Sequence, residues 1–224
     1  MDIHSDTGVI GSGDYDTVVA ETFCRLDDNV RFGTLLARGD LSASDITGGR
    51  LVSQAAHISC ARDLLVHQVH GSGRLDVTGD IICDSLSFDG TVRCAGRIRC
   101  SGDLTVHGTL VNTHQVSADT MRVDGVVTAA EVRARLLRLH PLISGILSRF
   151  DMDEFDGGRI ASKVIADEVD AQGLVCRALS AERATLVDGC HIDAVTCENE
   201  LTSDDSSRLM LIGGNCRHTR RGIA

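Results

Sequence analysis

The chain has 224 residues, with 22 basic and 32 acidic side chains and a net charge of −10. So acidic a chain is poorly suited to grip phosphate backbones, which sets nucleic acid aside as a partner. Aromatic residues make up 3 %, Trp is absent, and one proline stands against 23 glycines; this argues against a core filled by large rings and for short segments joined at glycine corners.

Residues 1–29 read as a polar, acidic segment with Gly11-Ser12-Gly13 and an opening strand at Thr17-Val18-Val19-Ala20. Its start, Met1-Asp2-Ile3-His4-Ser5-Asp6, is neither a signal-peptide apolar run nor an amphipathic anchor, so a cytoplasmic location is expected. From Val30 an aliphatic beat appears at uneven spacing through Leu36, Leu41, Ile46, Leu51, Ile58, Leu65, Val69, Leu75 and Ile81.

The beat becomes strict between Asp84 and Asp119, which divides into DSLSFD, GTVRCA, GRIRCS, GDLTVH, GTLVNT and HQVSAD. The third place holds Leu86, Val92, Ile98, Leu104, Leu110 and Val116, and the fifth Phe88, Cys94, Cys100, Val106, Asn112 and Ala118. Residues two apart share one face of an extended strand. Gly90, Gly96, Gly102 and Gly108 follow four residues after an aliphatic place and supply corners. Short strand and corner at a fixed period predict an all-β fold, a parallel β-helix or β-solenoid. Its core rungs are Leu86, Val92, Ile98, Leu104, Leu110 and Val116.

The beat continues to Leu137 and then breaks. His140-Pro141-Leu142-Ile143 has no alternation, and its proline suits the first turn of a helix. An acidic hinge runs from Asp151 to Gly158. The beat resumes at Ile160, Val164, Val169, Leu174, Leu179, Leu186, Ile192, Cys197 and Leu201, and Leu209-Met210-Leu211-Ile212 reads as a last strand. Gly213 to Ala224, with Arg217, Arg220 and Arg221, reads as a flexible basic tail. The expected layout is a main β-helix over 30–140, an apolar segment and hinge over 141–158, and a shorter β-helical block over 159–212. At about 18 residues per coil, the main block holds roughly six coils.

The nine cysteines are Cys24, Cys60, Cys83, Cys94, Cys100, Cys176, Cys190, Cys197 and Cys216. An odd count without a signal peptide, and inward places for Cys94 and Cys100, predict reduced thiols acting as small core hydrophobes. His57 and Cys60, His67 and His70, and Cys190 and His191 lie close in sequence, but none has a matched second pair at zinc spacing. No metal and no cofactor are expected. The run Asp151, Asp153, Glu154 and Asp156 suits a solvated linker. Hexapeptide-repeat acyltransferases also build on six-residue rungs and use a corner histidine as base; His107 or His114 would fill that role here.

The run Gly96-Arg-Ile-Arg-Cys-Ser-Gly-Asp-Leu-Thr-Val-His-Gly-Thr-Leu110, with Ile165-Ala-Asp-Glu-Val169 and Gly189-Cys-His-Ile-Asp-Ala-Val195, resembles the bactofilins, polymer-forming bacterial cytoskeletal proteins. The resemblance covers about residues 30–212. It implies a right-handed parallel β-helix that polymerises without nucleotide into non-polar filaments through its end coils. It also implies a cytoplasmic scaffold, often beside the membrane, that positions cell-wall or motility machinery. The chain lacks the short apolar N-terminal targeting peptide of many members, which leaves membrane association open, and it carries an extended C-terminal block.

A non-enzymatic, self-assembling scaffold is therefore expected, with the chain itself as first partner. Leu209, Leu211 and Ile212 are the contact residues at one end, across a two-fold, and Val30 and Phe32 at the other. Two alternatives stay open: a monomeric or dimeric adaptor whose second block caps the first, and the hexapeptide-type enzyme.

Overall fold

A computed structural model describes residues 1–142 and 158–221. These form a β-solenoid of about 12 turns, 82 % strand and without helix. The first coils use β1 (Asp2–Ile10), β2 (Gly13–Leu26), β3 (Val30–Ala37), β4 (Asp40–Ala43), β5 (Ile46–Cys60) and β6 (Leu64–Val77). The middle uses β7 (Ile81–Cys83), β8 (Ser85–Cys94), β9 (Ile98–Cys100), β10 (Asp103–Asn112) and β11 (Gln115–His140). The stack ends with β12 (Arg159–Gln172), β13 (Leu174–Val187), β14 (His191–Asp204), β15 (Arg208–Gly213) and β16 (Arg217–Arg221). All belong to one sheet, and the pairings are parallel, coil on coil.

Each coil has three faces, and each face sends two side chains inward. In one central coil these are Ile81 and Cys83, then Leu86 and Phe88, then Val92 and Cys94, all buried. In the next they are Ile98 and Cys100, Leu104 and Val106, and Leu110 and Asn112, again buried. Register keeps like positions in columns: Val69, Leu86, Leu104 and Met121 follow one another through β6, β8, β10 and β11. All six predicted rungs are buried. Full burial of such aliphatic side chains contributes about 1.5–3 kcal/mol each. Asn112, the polar member of its column, is satisfied: its Nδ2 donates to the carbonyls of Cys94 and Gly96 at 3.1 and 2.7 Å, and its Oδ1 accepts from the His114 N–H at 2.9 Å.

The corner between the second and third faces is a glycine ladder. Gly73, Gly90, Gly108 and Gly125 stack in register with φ of 114°, 130°, 137° and 139°. A Cβ on Gly108 would lie 2.2 Å from the Gly90 carbonyl oxygen, so each coil can follow the last only if that hydrogen is all the residue carries. Another corner is held by carboxylates: Asp63 Oδ1 accepts from the Asp80 N–H, and Asp80 Oδ1 from the Arg97 N–H, both at 2.8 Å.

Three features differ from the sequence-based layout. Residues 1–29 are not merely a polar lead-in with one short strand. β1 and β2 already build coils, with Ile3 facing Val18 and Ile10 facing Leu26 in register. Exposed Val9 and Phe23 on the outside, and Ser5 and Gly8 where larger apolar side chains would mark the inside, hide the alternation. The two blocks are also one stack: β12 lies directly on β11, from Val127 opposite Arg159 to Leu139 opposite Ala171, and the core continues through both. The expected helix does not start at Pro141: His140 still belongs to β11, and Pro141 and Leu142 are in neither strand nor helix. Residues 143–150 and the acidic hinge up to residue 157 lie outside the described residues. Lastly, Arg217–Arg221 is not a free tail but β16, paired along Glu200–Asp204 of β14. Backbone groups at an open sheet edge gain hydrogen bonds from any chain that can reach them, whatever its side chains.

Candidate self-assembly surfaces

At the C-terminal end, Leu209 and Ile212 sit opposite Ile192 and Val195 and so extend two inward columns. Leu209 is partly buried against the core, while Met210, Leu211 and Ile212 are 68 %, 69 % and 44 % exposed. Leu211 lies opposite Ala194 on the outer side of a corner, not beside Leu209. Pairing Leu209 with Leu211 on one face is therefore corrected: Leu209 and Ile212 hold successive inward places on either side of the corner, and Leu211 points outward between them.

The third face of this last coil is polar. His218 lies opposite the buried Leu201 and Arg220 opposite Ser203, with His218 Nε2 and Ser203 Oγ 2.9 Å apart. Asp204 anchors the turn that leads in: its oxygens accept from the N–H groups of Asp188 and Ser207 at 2.8 and 3.0 Å and from the Ser206 hydroxyl at 2.7 Å. Partial desolvation opposes the charge, but these donors outweigh it and bring its pKa down to about 2.

At the N-terminal end the outermost layer is β1 with the start of β2. It exposes Asp2, Asp6, Asp14 and Asp16, and the Met1 amine meets Asp16 at 2.6 Å. Val30 and Phe32 are not at this end, contrary to the sequence reading. Both are buried in β3, between β2 and β5. The Phe32 ring lies over Gly48, where a Cβ would come within 2.4 Å of it, so this phenylalanine plugs the core. The beat begins a full coil earlier than the aliphatic count suggests, which is why Val30 resembled a beginning.

The histidines show a pattern the sequence did not reveal. His57 meets Asp76 at 3.0 Å, His67 meets Asp84 at 2.9 Å and His107 meets Asp124 at 3.0 Å, each reaching a carboxylate one coil further on. Hydrogen bonds from His67 and Ser101 hold the Asp84 carboxyl below its usual range. His107 thus has the geometry of a base with an orienting carboxylate, but the same arrangement recurs at two other coils and Asp124 is shared with Arg122 at 2.9 Å. The motif is a coil-to-coil tie. Among the described residues, no three histidine, cysteine or acidic side chains converge as a metal site would need.

Eight of the nine cysteines are buried, and Cys216 is partly buried against the core. Burial pushes the thiols of Cys60, Cys94 and Cys176 up to about 11. Cys83 and Cys100 are register partners in adjacent coils; their mutual hydrogen bond raises the Cys83 pKa and lowers that of Cys100. Arg159, which nothing in the sequence singled out, stands in register between the inward residues Val127 and Leu174. Its Nη1 donates to the Gly125 carbonyl at 3.2 Å, and its buried Nε has no partner among the described residues.

No protein-family model, curated protein or solved structure matches the chain.

Proposed function

We propose that the chain is a non-enzymatic structural rod that assembles end to end with copies of itself, without nucleotide, into a scaffold of bactofilin type. The observation that carries this is the last coil, where Leu209–Ile212 ends the stack with apolar side chains in open columns and an unpaired outer strand edge among the described residues. Such an edge is a template for another strand. Covering two of these side chains contributes about 3–6 kcal/mol per junction. The bactofilin-like run at Gly96–Leu110 supports the same reading, and with it come the cytoplasm as location and cell-wall or motility proteins as the machinery held.

Light scattering across a protein concentration series, with negative-stain microscopy, tests the reading. Particles should grow with concentration and appear as rods. Leu211→Glu with Ile212→Glu should shrink them. Leu211 faces outward and its change costs the fold little, whereas Ile212 extends an inward column, so circular dichroism must show that the variant still folds. A parent protein that stays monomeric or stops at dimers throughout the series would sink the scaffold and favour the adaptor.

A further inference from the structure

The two end layers carry opposite charge. The N-terminal layer exposes Asp2, Asp6, Asp14 and Asp16, with no lysine or arginine among residues 1–16. The C-terminal coil, residues 208–221, carries Arg208, Arg217, Arg220 and Arg221 and no acidic residue. Asp205 takes Arg220 at 3.0 Å, but Arg208, Arg217 and Arg221 have no carboxylate partner among the described residues. At the other end the Met1 amine offsets Asp16 only, and His4 lies near Asp6 at 3.4 Å.

We infer that copies of the chain join head to tail, the Arg217–Arg221 end of one on the Asp2–Asp16 end of the next, giving a polar stack. This rests on the self-assembly reading above and names its partner surface, and it departs from the two-fold, non-polar joining that the bactofilin resemblance implies. A two-fold junction would set Arg208, Arg217 and Arg221 against their own copies, or the four aspartates against theirs, and like charges so placed oppose association. The head-to-tail junction pairs them instead.

Topology also sets the rotation between copies. β1 begins on the face whose column runs Ile3, Val18, Leu35, and β16 ends on that same face, with His218 over Leu201. An unrotated copy would place two strands in one position there. Turning the next copy by one third of a turn removes the conflict, setting β1 over β15 and the Gly13–Asp16 edge over β16. In that register Asp16 faces Arg221, and Asp2 and Asp6 straddle Arg208.

A charge swap on the 224-residue protein tests this. One variant carries Arg217→Glu and Arg221→Glu, the other Asp14→Arg and Asp16→Arg. Each alone should need a ~tenfold higher concentration to form large particles, and an equimolar mixture should recover the parent's behaviour, since each reversed end then meets its complement. Circular dichroism establishes that both fold. A salt series on the parent needs no variant: particles should shrink between ~0.05 M and ~1 M salt as the junction is screened. Variants that assemble like the parent, a mixture that recovers nothing, or particles that grow with salt would each overturn head-to-tail joining while leaving self-assembly standing. A parent that never assembles overturns both.

Discussion

Replacing Gly108 by alanine tests the stacking at its tightest point. The added Cβ would stand 2.2 Å from the Gly90 oxygen, and the residue keeps a φ of 137°, where side chains are strained. The backbone term is about 1–3 kcal/mol. Relieving the contact means parting β8 from β10 locally, and one or two weakened ladder hydrogen bonds add ~0.5–1.5 kcal/mol each. The sum is about 1.5–6 kcal/mol, and its middle lowers the melting temperature of a chain of this size by ~10 °C. Urea and thermal denaturation, followed by circular dichroism, would measure it against Gly11→Ala. Gly11 has nothing within 4 Å of a built Cβ, and its φ lies outside that strained range, so its change should stay within ~0.5 kcal/mol. If Gly108→Ala also stayed within ~0.5 kcal/mol of the parent, the close coil-to-coil contact at this corner would be wrong.

Ile98→Asp should cost several kcal/mol, because Ile98 is fully buried and the column offers a carboxylate no partner; an unchanged melt would mean the inward face is misassigned. Cys94 should resist alkylation until the protein unfolds, and Cys216 should label first, which mass spectrometry of timed iodoacetamide reactions would show; early labelling of Cys94 would contradict its burial. Asp204 has a folded pKa of about 2, below its unfolded value of about 3.9, so its contribution is complete above the unfolded value and disappears as pH falls through the folded one. The parent should therefore lose stability between about pH 4 and pH 2 that Asp204→Asn does not lose; parallel melting curves for the two proteins across that window would refute the capping role.

Much of this architecture was legible in the residues alone. Leu86, Val92, Ile98, Leu104, Leu110 and Val116 declare the inward face because an extended strand alternates sides every residue, a rule that is local. Cys94 and Cys100 could be placed in the core for the same reason. What the sequence could not supply was which coil lies on which. Gly90, Gly96, Gly102 and Gly108 look equivalent in the six-residue beat, yet only Gly90 and Gly108 join the positive-φ ladder with Gly73 and Gly125, whose steps are 17, 18 and 17 residues. The beat marks one face, and three faces make a coil. The joining of β11 to β12 across the inserted segment, the docking of Arg217–Arg221 on β14 and the reach of His107 to Asp124 likewise depend on the offset between coils. Corners of differing length set that offset. Side-chain direction is decided within a strand by its own backbone, whereas neighbours across a parallel ladder are decided by everything between them.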